Sequence, residues 1–128
     1  MAVLDTVATG GTPDTANLSS AQTGNGDSTN TVDFGDRTGP VLLKITSTVG
    51  ATPTVTVNIL GSADGTNFIN IPYAAVATPT TVTVAQLAAI TTATTSYYYL
   101  QPNYPWRYLK LAYTANTNVT LTVDCWAF

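Results

Sequence analysis

From residue 30 onward the sequence alternates apolar and polar side chains with a period of two. Val41, Leu43 and Ile45 interleave with Leu42, Lys44 and Thr46, and Val55, Val57 and Ile59 interleave with Thr54, Thr56 and Asn58. The rhythm returns at Val82 and Val84, and at Val119, Leu121, Val123 and Cys125. An extended backbone sends successive side chains to opposite faces, so this pattern specifies strands with one buried and one wet face; a helix, repeating about every 3.6 residues, would bury no such set. Thr fills roughly one position in five and supplies much of the wet face. Its branched β-carbon suits extended backbone and its hydroxyl is soluble without charge.

Turn-forming residues separate these runs. Gly39-Pro40 precedes one strand, and Gly50-Ala51-Thr52-Pro53 divides it from the next. The segment from Gly61 to Phe68 reads as a tight connection between strands at 54–60 and 67–73, with Gly65 supplying a positive φ. Asn103-Tyr104-Pro105 opens a strand from Trp106 to Thr114, and Ala115-Asn116-Thr117-Asn118 links it to the last one. About eight strands result, at the spacing of an antiparallel β-sandwich, and a short turn at Ala85–Ile90 is the one helix candidate.

The first 29 residues differ in kind. Between residues 9 and 30 the chain is mostly Gly, Ser, Thr, Asn and Asp, with Leu18 the only large apolar side chain. Such a segment does not offset its ordering entropy by its own burial. Two readings stay open: a flexible tail, or an arm that orders on a neighbouring subunit. The expected organisation is an N-terminal arm at 1–29 and a β-sandwich domain at 30–128.

Composition excludes several function classes. With 128 residues the chain is one domain's worth. Hydrophobic residues make up 45% and charged residues only 9%, which fits neither a coiled coil nor a disordered chain. A net charge of −3 and bases scattered at Arg37, Lys44, Arg107 and Lys110 argue against nucleic acid. No apolar run reaches the roughly 18 residues of a membrane-spanning helix, and the first residues lack a signal-peptide pattern, so a soluble protein without membrane contact is expected. A single Cys forms no internal disulfide.

Catalytic groups are missing too. The chain has no His and no Glu, so acid–base chemistry near pH 7 and paired-carboxylate chemistry would rest on Asp alone. No Ser lies in a Gly-x-Ser-x-Gly setting. One Cys without His does not build a zinc site. Gly24–Ser28 and Asp33–Asp36 carry oxygen ligands but lack the spacing of an EF-hand, and turn chemistry explains them. Cys125 falls in phase with Val119, Leu121 and Val123 and reads as a small buried hydrophobe. No enzyme, cofactor or metal is expected.

The aromatic residues point to surface recognition. In a strand through Tyr97, Tyr98 and Tyr99, the outer two face one way and Tyr98 the other. Tyr97, Tyr99, Tyr104 and Trp106 form a candidate glycan-binding set, since aromatic rings stack on sugars; the same rings would also serve the core or a protein interface. Trp126 shares the polar phase of Thr120, Thr122 and Asp124, and Phe128 continues it, suggesting a contact surface.

The order of features carries a resemblance. A polar arm leads to Ser28-Thr29-Asn30-Thr31-Val32-Asp33-Phe34-Gly35, then a strand, then Val55 to Phe68 with its Ser62-Ala63-Asp64-Gly65 turn. Near the end comes Tyr104-Pro105-Trp106-Arg107-Tyr108-Leu109-Lys110-Leu111-Ala112-Tyr113-Thr114. Over residues 28 to 128 this resembles capsid decoration, or cement, proteins of tailed bacteriophages. The resemblance implies a jelly-roll-like body that is made in the host cytoplasm, forms a dimer or trimer, and binds the outside of the virion capsid. There it would cement neighbouring capsomers of the major capsid protein. Leu4, Leu18, Trp106, Trp126 and Phe128 are the side chains expected at the capsid or subunit interface. The alternative function is a carbohydrate- or receptor-binding module of a phage tail or adhesin, carried by the tyrosines and Trp106.

Overall fold

Two strands of 22 and 20 residues organise the molecule. The computed structural model describes residues 2–3, 14–35, 40–100 and 106–127. In chain order the strands are β1 (Ala2–Val3), β2 (Asp14–Gln22), β3 (Gly26–Asp27), β4 (Val32–Asp33), β5 (Val41–Ser62), β6 (Ile69–Asn70), β7 (Tyr73–Ala75), β8 (Thr94–Leu100) and β9 (Tyr108–Ala127). All nine belong to one sheet of order β1-β4-β9-β5-β8-β7, with β2 and β3 also pairing with β9, and β6 with β5. Pairing is antiparallel throughout except for β1 with β4. The expected all-β antiparallel class is what the chain adopts.

β5 and β9 pair with each other along their whole length, from Val41↔Ala127 to Ser62↔Tyr108. A straight strand as long as β5 would span about 70 Å at roughly 3.3 Å per residue, whereas a domain this size has a radius of gyration of only about 14 Å. Both strands therefore bend, and they do so opposite each other. The register moves from Val49↔Val119 through Thr54↔Thr117 to Thr56↔Thr114. Thr52, Ala115 and Asn118 take φ of 46°, 51° and 54° there. Backbone groups freed by the shift are recovered by side chains: Asn118 Nδ2 donates to the Ala51 carbonyl at 2.6 Å, and the Asn116 amide accepts from Val119 N and donates to its carbonyl. The segments 50–53 and 115–118, expected to be connections between strands, are thus bends within two continuous strands.

One face of the sheet is buried on both sides of the bend. Leu43↔Cys125 and Ile45↔Val123 lie before it, and Val57↔Tyr113 and Ile59↔Leu111 after it. All join a single apolar cluster with Leu18, Val32, Phe34, Ile71, Tyr73, Leu87 and Leu100. Each fully buried aliphatic side chain contributes roughly 1.5–3 kcal/mol relative to exposure.

Residues 14–29 depart from the arm expected at 1–29. They form β2, β3 and their connections, packed along β9 in the same chain. Leu18 is fully buried in the core. Alternation is absent from this stretch because β2 shifts register between Asn17 and Ser19 and again before Gln22, so that Leu18 and Ser19 are buried in succession. Polar side chains hold the strand instead. Ser19 Oγ donates to Gln22 Oε1 at 2.6 Å, Gln22 Nε2 donates to the Asp27 carbonyl at 2.8 Å, and Asn30 Nδ2 donates to the Asn17 carbonyl at 2.9 Å. Residues 4–13 lie outside the described residues.

Two smaller expectations also change. The run at Val82 and Val84 makes only one bridge, Thr83 to Tyr73, and both valines are exposed. Ala85–Ile90 forms no helix; it lies along β5, where Leu87 N donates to the Val57 carbonyl and Ile90 exchanges both backbone bonds with Val55.

Candidate functional site

Strand pairing assembles the outer face of the sheet row by row. One row runs Thr15, Trp126, Leu42, Tyr99 and Ala74 across β2, β9, β5, β8 and β7. The next runs Asn17, Asp124, Lys44 and Tyr97. Beyond them lie Thr122, Thr46 and Thr95, then Thr120 and Thr48. On this side of the bend, aromatic rings are therefore confined to the two rows at the end, and the rows nearer the bend carry threonine hydroxyls.

Tyr97 and Tyr99 are each 41% exposed, while Tyr98 turns inward and meets Tyr73 edge-on at 5.7 Å between ring centroids. The expected alternation of the three tyrosines is what β8 adopts. Asp124 accepts a 2.8 Å hydrogen bond from Asn17 Nδ2. Lys44, directly across from Asp124, makes no ion pair among the described residues; the pairs there are Arg107–Asp33 and Lys110–Asp27. Beside Tyr97 lies a hollow of about 370 Å³ lined by Ala75, Val76, Ala77, Thr95, Ser96, Tyr97 and Tyr98.

The remaining polar clusters serve the fold. Arg107 clamps Asp33 with Nε and Nη2, and the guanidinium holds that carboxyl below its ordinary pKa. Lys110 reaches Asp27 at 3.0 Å and stacks its ammonium 4.2 Å from the centre of the Phe68 ring. Asp64 accepts backbone bonds from Asn67 and Thr66 and side-chain bonds from Asn67 and Ser62, which depress its pKa and close the turn around Gly65 (φ 79°). Asp27 and Asp33, considered as calcium ligands, are thus engaged with cations of the chain itself. Burial pushes the Cys125 thiol up to about 12, in keeping with its place in the core.

The candidate site residues do not converge as the sequence suggested. Leu4, Tyr104 and Phe128 lie outside the described residues. Leu18 is core. Trp106 is half-buried and packs against the core above Gly61, on the inner side of the sheet, away from Tyr97 and Tyr99. Trp126 is half-buried on the outer face, two strands from Tyr99. The face thus unites one residue of the interface set with two of the glycan set, and adds Leu42, Lys44 and Asp124. Alternation already assigns those three to the polar phase; only the pairing of β5 with both β8 and β9 joins them to the tyrosines.

No protein-family model matches this sequence, and no curated protein matches it. Among solved structures the fold matches the crystal structure of SPBc2 prophage-derived protein YomS, with a TM-score of 0.64 over 97% of this chain and 100% of that one, at 8% identity.

Proposed function

We propose that this chain is a non-enzymatic structural protein of a phage virion, which binds the outer surface of the capsid and cements neighbouring capsomers of the major capsid protein. The observation that carries the reading is the agreement in fold, over nearly the whole of both chains, with a prophage-derived protein. The family resemblance over residues 28–128 supports the finer assignment. A continuous sheet with one buried face and one largely polar face supplies a stiff body for lateral contacts. Several weak contacts per capsomer multiply when the lattice presents them together. Low charge makes such contacts insensitive to salt, since screening acts on charges and not on packed apolar area.

The test is addition of the purified protein to expanded capsids of the phage that encodes it. Saturable binding at a fixed number of copies per capsomer is expected, with the protein added as a dimer or trimer. Absence of sedimenting complex overturns the reading. A variant lacking residues 1–12 leaves β2 intact and removes β1 with the residues that follow it; undiminished occupancy assigns attachment to the rest of the sheet.

A further inference from the structure

We propose that the aromatic end of the outer face is a binding site for a neutral saccharide, with Tyr97 and Tyr99 as stacking platforms. The inference goes beyond capsid attachment and does not depend on it.

Three features carry it. The first is ring placement. Tyr97 and Tyr99 are two residues apart on β8, so their side chains leave the sheet about 7 Å apart on one face. Both residues are exposed on this face and so open to a ligand, and a Tyr side chain has only two torsions to immobilise on binding.

The second is the company these rings keep. Lys44 lies directly between Tyr97 and Asp124 in one row, and Leu42 lies between Tyr99 and Trp126 in the next. Protein interfaces deplete charge from their centre and gather apolar side chains there. This face does the opposite, setting an ammonium, a carboxylate and the Asn17 amide among its rings. A second copy of the chain would have to desolvate them. A pyranose suits the arrangement, since its C–H face stacks on a ring while its rim hydroxyls both donate and accept. Lys44 donates and Asp124 accepts, and their opposite charges leave the row neutral, which favours an uncharged sugar over an acidic one.

The third is shape. The hollow of about 370 Å³ beside Tyr97 has an aromatic wall, the apolar side chains of Ala75, Val76 and Ala77, and the polar residues Thr95 and Ser96. That volume falls within the range of roughly 300–1,000 Å³ typical of small-ligand sites.

An array of neutral oligosaccharides (gluco-, galacto-, manno- and N-acetylglucosamine series) probed with the full chain, followed by calorimetry on the best binder, tests the proposal. Binding to a neutral series is expected, with Tyr97→Ala and Tyr99→Ala each weakening it about tenfold or more and Lys44→Ala weakening it less. Ile69→Thr, an exposed change on β6, is expected to leave it unchanged. Circular dichroism of the Tyr variants checks that they fold. No binding to any neutral series, binding confined to acidic sugars, or binding indifferent to both Tyr variants overturns the proposal. So does concentration-dependent self-association that the Tyr variants abolish, which would make the face an interface between copies. Loss of sugar binding with capsid occupancy unchanged supports it and leaves the virion reading to its own test.

Discussion

Arg107 grips Asp33 with two parallel hydrogen bonds, Nε to Oδ1 at 2.9 Å and Nη2 to Oδ2 at 3.1 Å. The pair joins β4 to the entry of β9. The carboxylate side chain is only 10% exposed and the guanidinium 53%, so Arg107 is the water-facing partner of a nearly buried charge.

Truncation of Arg107 leaves that carboxylate short of compensation. Arg107→Met is expected to destabilise the fold at pH 7, by less than the loss of a fully buried pair because solvent screens the exposed arginine. Asp33 has its pKa lowered in the folded state, chiefly by the hydrogen bond from Arg107. Its contribution is therefore present above the unfolded value of about 3.9 and is lost as pH falls through the folded value. Urea titrations of both proteins at pH 7 and near pH 2.5 check this; the gap between them narrows in acid. A gap that persists unchanged would assign the loss to packing against Tyr108, whose ring centre lies 5.4 Å from the guanidinium carbon.

Gly61 lies where no side chain fits. A Cβ built there would stand 2.7 Å from Ile71 Cγ2 and 3.1 Å from Trp106 Cγ. Gly61→Ala is expected to destabilise by about 1–3 kcal/mol through overpacking. Ile71→Ala removes the methyl in the way, so the double variant is expected to lose clearly less than the sum of the two single losses. Denaturant midpoints of the four proteins in the cycle measure the coupling, and simple additivity contradicts the contact.

The Tyr113 hydroxyl lies 2.8 Å from Ser19 Oγ in the core and ties β2 to β9. Because Ser19 Oγ donates to Gln22, Tyr113 is the donor in this contact. Tyr113→Phe removes that donor and is expected to cost about 1 kcal/mol. Burial raises the Tyr113 pKa to about 12. The folded state thus keeps a proton that the unfolded chain releases near pH 10, and stability falls between about 10 and 12. Tyr113→Phe is expected to flatten that part of the pH–stability curve. An unchanged alkaline slope would remove Tyr113 as its source.

Period-two alternation made much of β5 and β9 legible as strands and assigned Leu43, Ile45, Val57, Val123 and Cys125 to the buried face. It did not reveal that the runs around 50–53 and 115–118 are continuous through bends. Gly, Pro and Asn signal a change of direction equally well whether the chain reverses or only kinks. The candidate face was half legible for a related reason. Alternation gives the phase of Lys44, Tyr97, Asp124 and Trp126 within each strand, but pairing register between strands far apart in sequence decides who stands beside whom. β2 was hidden altogether because its bulges break the alternation, so that it buries Leu18 and Ser19 in succession and is otherwise lined by polar side chains such as Asn17 and Gln22.

Leu18 decides between an arm and a strand. As a capsid contact it would be exposed in the isolated protein, and its truncation would weaken attachment with little effect on folding. Fully buried beside β9, it is instead expected to cost about 2–5 kcal/mol on replacement by Ala, the range for large-to-small changes in a core. Amide exchange should report the same event locally, with β2 losing protection more than β8. Attachment, measured at a temperature where Leu18→Ala stays folded, should match the wild type, since the side chain has no exposed surface to offer a partner. Full stability together with lost attachment would return residue 18 to the contact surface.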